Sequence, residues 1–229
     1  MQSLRIDIDI QHVPSILQAI QDLLTFDTEL PPDMELPELS SDATDQEFLA
    51  NVLKELSIFD AQLYMFEAAG ALISTLWSLP EHQSNALQSV TGPLLSRLST
   101  CLQIPIPAPG AQMGEDDFKN VLAVHHCIQA LGCIPKGFPE YPSPVPPEYV
   151  PPPLAEFRQM ADAILVSLDI MGRFRIVREA VSMSLLMTSC YSLCCLFAGT
   201  FLFRADHFCC RPIYHGVHTA TDEFASRSL

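Results

Sequence analysis

The run from Asp60 to Ile73, DAQLYMFEAAGALI, constrains the fold more than any other stretch of the chain. Leu63, Phe66, Gly70, Ile73 and Trp77 recur at steps of three or four. At 3.6 residues per turn that spacing lines them along one face of a helix spanning about 60–78, closed by Leu79-Pro80. Glu67, Ala68 and Ala69 complete a compact FEAAG centre between Phe66 and Gly70. Its small side chains let a neighbouring helix approach closely, so the segment is expected in a core.

The same period returns along the chain. Pro14 suits the first turn of a helix carrying Ile16, Leu17, Ile20, Leu23 and Leu24. Thr44 or Asp45 is placed to cap a short helix through Phe48, Leu49, Val52, Leu53 and Leu56. Leu87, Val90, Leu94, Leu98 and Cys101 form the stripe of another, with Pro93 expected to kink or break it. A helix from Asp117 to Cys133 carries Phe118, Val121, Leu122, His125, Ile128 and Leu131. One near Leu154–Met171 carries Leu154, Phe157, Ala161, Ile164, Leu165 and Leu168.

Pro-rich segments separate these helices. They are the acidic ELPPDMELPELSSDATDQE, the linker 104–117, and residues 135–153 with nine prolines. Residues 4–10 alternate in a strand-like period of two but have no strand to pair with, and so read as extended or frayed. Helices with one apolar stripe each, paired at about 40-residue spacing, predict an all-α, HEAT-like α-solenoid of antiparallel helix pairs, ahead of the irregular helical bundle that the lack of strict internal repetition leaves as the alternative.

Charge narrows the function. The chain has 27 acidic and 12 basic residues, a net −15. Residues 1–60 alone hold 13 acidic against 2 basic. Such a surface repels phosphate backbones at long range and favours basic protein partners. If any residues touch RNA, they are Lys136, at a helix end, and Arg173, Arg175 and Arg178, the one basic cluster of the first 180 residues. Arginines so placed also pair with acidic neighbours or lie over apolar surface.

Asp7 and Asp9 interrupt any apolar core of a secretory signal. The eight cysteines form no regular disulfide spacing, which predicts free thiols in a reducing compartment. His125, His126, Cys127 and Cys133 do not complete a zinc-like set on one helix face, and core packing is the expected role. Cys209, Cys210, His215 and His218 lack the usual ligand gaps. Glu115, Asp116 and Asp117 read as a helix N-terminus. No phosphate-binding glycine loop, nucleophile elbow or H-E-x-x-H motif is present, so catalytic residues, metals and cofactors are not expected.

The FEAAG helix resembles a central helix of the exportin-T family, the karyopherin-β receptors that export tRNA. Four further pieces are similar to that family in order and spacing: LLTFDTELP (23–31), GPLLSRL (92–98), HHCIQALGCIPKGFP (125–139) and FRIVREA (174–180). Together they cover about residues 20–180. The resemblance implies a receptor acting by binding, with Ran in its GTP form, tRNA and nucleoporins as partners, shuttling between nucleus and cytoplasm. Family members are much longer superhelices, so the resemblance implies a middle section only: a fragment, a truncated gene product or a shortened paralogue.

Residues 181–229 are set apart as a divergent, apolar, Cys-rich tail. Residues 181–203 contain no charge and meet the length of a membrane span. Three readings compete: a transmembrane anchor of a small α-helical adaptor, a buried helix covering the last repeat, or sequence from a shifted frame or intron. The abrupt end of the family resemblance at this point favours the last.

Overall fold

The structure, a computed structural model, describes residues 10–31, 35–38, 41–55, 57–139 and 152–185. Among these, every regular element is helical: α1 (Val13–Ala19), α2 (Asp42–Glu55), α3 (Ser57–Ser74), α4 (Pro80–Gln103), α5 (Glu115–Cys133), α6 (Leu154–Met171) and α7 (residues 175–185). Short 3₁₀ turns occupy Ile10–His12, Gln21–Leu24 and Ile134–Gly137. The helices stack as packed neighbours in a HEAT-like α-solenoid, α3 and α4 on α5, and α6 on α4 and α5. Residues 4–9 of the alternating segment and the Cys209–His218 group lie outside the described residues.

Local chemistry starts and stops these helices. Pro14 lies in the first turn of α1, where its missing N–H costs nothing. α2 is capped by Ser41, not by Thr44 or Asp45. The Thr44 amide donates to Ser41 Oγ at 3.2 Å and the Ser41 amide donates to Thr44 Oγ1 at 2.8 Å. α5 opens on Gly114, whose amide donates to Asp117 Oδ2 at 2.8 Å, and its acidic first turn faces the positive end of the helix dipole.

Three expectations are corrected. α3 ends at Ser74 because the Thr75 and Leu76 amides donate to Leu72 and Ile73 carbonyls three residues back, tightening the chain. That rotation carries Leu76 into the core and leaves Trp77 57% exposed. α4 runs unbroken through Pro93. Pro93 faces solvent, and Gly92 before it has no Cβ to clash with the pyrrolidine ring. On α6 the buried stripe is Phe157, Met160, Ile164, Ser167 and Met171, while Leu165 is exposed.

α5 is the axis of the core. It was expected to carry one stripe, yet Asn120, Ala123, Val124, His126, Cys127 and Ala130 are buried alongside Phe118, Val121, Leu122, Ile128 and Leu131. A helix apolar nearly all round has neighbours on every side. α7 is one of them: Ser184 Oγ donates to the Ile128 carbonyl at 3.0 Å. α7 continues through residue 180 to 185 without interruption, with Val181 and Ser184 buried. No helix among the described residues is long and apolar enough to cross a membrane. Residues 186–203 of the proposed span lie outside them.

The small residues of the FEAAG centre meet the turn that follows α5. A Cβ on Gly70 would collide with the Ile134 carbonyl, and one on Gly137 with the backbone of Glu67, Gly70 and Ala71. Backbone therefore touches backbone, which only glycine permits on both sides. Replacing Gly70 with Ala is expected to lower stability by about 3 kcal/mol or more, because backbone has to move aside. Tyr64→Ala, on the 73% exposed face of the same helix, is expected to shift it by less than about 0.5 kcal/mol. Urea-unfolding midpoints of the two variants check this.

Candidate nucleic-acid interface

Arg173 lies on the turn between α6 and α7, Arg175 and Arg178 in the first turn of α7, and the structure gives the three different tasks. Arg173 is half-buried. Its guanidinium stacks over the Phe174 ring at 4.5 Å, and Nη2 points to Met113 Sδ at 3.8 Å. Its Nε is buried with no hydrogen-bond partner among the described residues. Arg178 folds back on the turn, Nη1 donating to the Gly172 carbonyl at 2.7 Å and the Arg173 carbonyl at 2.8 Å. It thereby satisfies carbonyls left over where α6 ends.

Arg175 points outward, 55% exposed, with an ion pair to Glu179 at 3.5 Å. So Arg173 covers apolar surface, Arg175 pairs with an acidic neighbour and Arg178 serves backbone. Arg175 and Arg178 are both exposed, Arg178 with its guanidinium on backbone carbonyls and Arg175 with its own on Glu179.

Lys136 belongs to a different place. It is exposed on the 3₁₀ turn after α5, its charge opposing the upward shift that burial gives the Cys133 thiol. Arg173 touches Met113, just ahead of α5. The two therefore lie near opposite ends of a 19-residue helix, about 28 Å apart at 1.5 Å per residue. The structure brings the three arginines together and sets Lys136 apart from them.

Sequence reading missed the residue that holds this turn. Gln46 of α2 donates from Nε2 to the Arg173 carbonyl at 3.0 Å and accepts at Oε1 from the Arg175 amide at 2.6 Å. Nothing in the local pattern of α2 signals this, because its partners lie 127 and 129 residues away.

Phe26 gathers the remaining motif segments. Its ring meets Phe59, Phe66 and His126 edge-on at 5.3, 6.4 and 5.6 Å, and Arg97 lies over it at 4.6 Å. Arg97 also donates to the Phe26 carbonyl, and Gln62 to the Thr25 carbonyl at 3.1 Å. The segments LLTFDTELP, FEAAG, GPLLSRL and HHCIQALG thus share one cluster.

His125, His126, Cys127 and Cys133 are buried in the core, and His126 stacks on Phe59 at 3.6 Å. Cys101, Cys127 and Cys133 are free thiols, all raised in pKa by burial, Cys127 to about 12. No group of three or more potential ligands that could hold a metal occurs among the described residues.

The histidine pair has a measurable consequence. Burial lowers His125 to about 4; burial, then His125 and Arg97, lower His126 to about 3. Their Nδ1 atoms are 3.1 Å apart, so one carries the hydrogen and the other accepts it. Below pH 6.5 the unfolded chain takes up protons that the folded core refuses. Stability is therefore full above that value and falls as pH drops toward 4. Between pH 7.5 and 5 the loss is expected on the order of 2–4 kcal/mol, and urea midpoints at the two values check it. His126→Phe is expected to reduce the pH dependence.

The family model described as Exportin-T matches residues 1–191. The protein from Laccaria bicolor named Exportin-T is 37% identical over 166 residues, 72% of this chain and 14% of its own length. Exportin-T of Coprinopsis cinerea is 36% identical over 177 residues, 77% of this chain and 15% of its own. That of Mycosarcoma maydis is 33% identical over 173 residues, 76% and 14%. The chain thus spans about a seventh of the length of these curated relatives.

Proposed function

Because the chain belongs to the exportin-T family, we propose that it is a section of a tRNA export receptor and acts by binding rather than catalysis. In this reading it supplies helical scaffold to a complex of tRNA with Ran in its GTP form, and it moves between nucleus and cytoplasm, engaging nucleoporins on the way. The observation that carries the reading is the shared motif cluster. Segments that match the family pack on one another around Phe26 and at the Gly70–Ile134 contact.

The basic turn supports an RNA contact. Arg175 and Arg178 occupy the first turn of α7, where the helix dipole favours anions and disfavours cations. Glu179 offsets this weakly through an exposed ion pair. A phosphate would relieve the conflict, and Arg175 is presented to meet one. Lys136, about 28 Å away along α5, would meet a separate phosphate. The acidic remainder opposes RNA at long range and so confines contact to these points.

Fluorescence anisotropy with labelled tRNA and the full chain, with and without Ran·GTP, tests the proposal. Binding is expected to weaken with salt and to tighten when Ran·GTP is present. Arg175→Ala is expected to lower the slope of log affinity against log salt by about one. A folded chain that binds neither tRNA nor Ran·GTP would overturn the reading.

A further inference from the structure

Resting on that reading of the basic turn, we infer that Gln46 is a positioning residue for Arg175, holding the backbone from which its guanidinium meets phosphate. The primary amide of Gln46 engages both an acceptor and a donor, the Arg173 carbonyl and the Arg175 amide. A carboxylate has no hydrogen to give the carbonyl, and a lysine or arginine has no acceptor for the amide. Glutamine at 46 therefore matches the exposed edge of the peptide pair across residue 174.

The turn is held from its other side as well. Arg178 donates to the Gly172 and Arg173 carbonyls, so the Arg173 carbonyl receives two donors. The Arg173 side chain is pinned over Phe174 and against Met113. α2 itself is fixed by the Phe48 ring, 4.5 Å from Phe118 of α5. What is left to move is the Arg175 side chain, whose ion pair with Glu179 is half exposed on both sides. A pre-set backbone spares part of the ordering cost of binding. The acidic helix α2 thus sets the geometry of the basic turn from 127 residues away.

The test uses the full chain with labelled tRNA and Ran·GTP, comparing Gln46→Ala, Gln46→Glu, Arg175→Ala and the Gln46→Ala/Arg175→Ala double variant. Gln46→Ala is expected to weaken tRNA binding by about 3- to 10-fold with an unchanged salt slope, since no charge is lost. The double variant is expected to lose no more than Arg175→Ala, because Gln46 acts through Arg175. Hydrogen exchange of the Arg175 amide is expected to quicken by about tenfold in Gln46→Ala. Gln46→Glu, which keeps the acceptor, is expected to fall between it and the parent and serves if the alanine variant does not fold. Losses that add in the double variant overturn the positioning role, as does unchanged protection of Arg175 in Gln46→Ala. A parent chain that binds no tRNA sinks the RNA reading and the positioning role with it. Accelerated Arg175 exchange in Gln46→Ala would then still separate a purely structural clasp from none.

Discussion

The rest of the structure depends on backbone meeting backbone where α3 crosses the turn after α5. Gly70 leaves room for the Ile134 carbonyl, and Gly137 for the peptides of Glu67 to Ala71. Interiors are close-packed, so a contact of this kind fixes the distance between two helices to within a few tenths of an ångström. With that distance set, Phe66, Ala69 and Ile73 reach full burial on one side of α3. The exit of α5 is then held in register with Phe138, which packs edge-on against Phe157 of α6 at 5.0 Å.

Around this contact α5 works as an axis. Its buried faces are shared among α3, α4, α6 and α7, so few of its residues can change without a neighbour responding. The histidine pair fits such a site only as neutral rings, one stacked on Phe59 and edge-on to Phe26. Arg97 nearby spends its donors on the Phe26 carbonyl and Thr28 while its face covers the Phe26 ring. Charge is thus kept at the rim of the cluster, and the interior is aromatic and aliphatic.

Much of this was legible in the sequence. α6 begins and ends where its pattern predicts, and Leu87, Val90, Leu94, Leu98 and Cys101 all turn inward on α4. Period and punctuation carry that information locally. The errors share another cause, which is contact between distant segments. A one-stripe reading of α5 fails because four neighbours surround it, and Trp77 fails because a tightened turn shifts the phase by part of a residue. Among the site residues, the clustering of Arg173, Arg175 and Arg178 could be read, but not their division of labour. Gln46 left no trace at all, since its significance comes from partners more than a hundred positions on. The family likeness was readable in the motif segments, and their convergence on Phe26 supplies its physical reason.

A helical section held by glycine contacts, with one basic turn clasped from the acidic N-terminal side, has a simple expected relation to RNA. Contact should be local, at the start of α7 and at the far end of α5. The most direct test is photocrosslinking of 4-thiouridine-labelled tRNA to the full chain in the presence of Ran·GTP, followed by mass spectrometry of the joined peptides. Crosslinks concentrated on the peptides carrying Arg175 and Lys136 are predicted. Crosslinks confined to other surfaces, with those two peptides unmodified, would contradict the account.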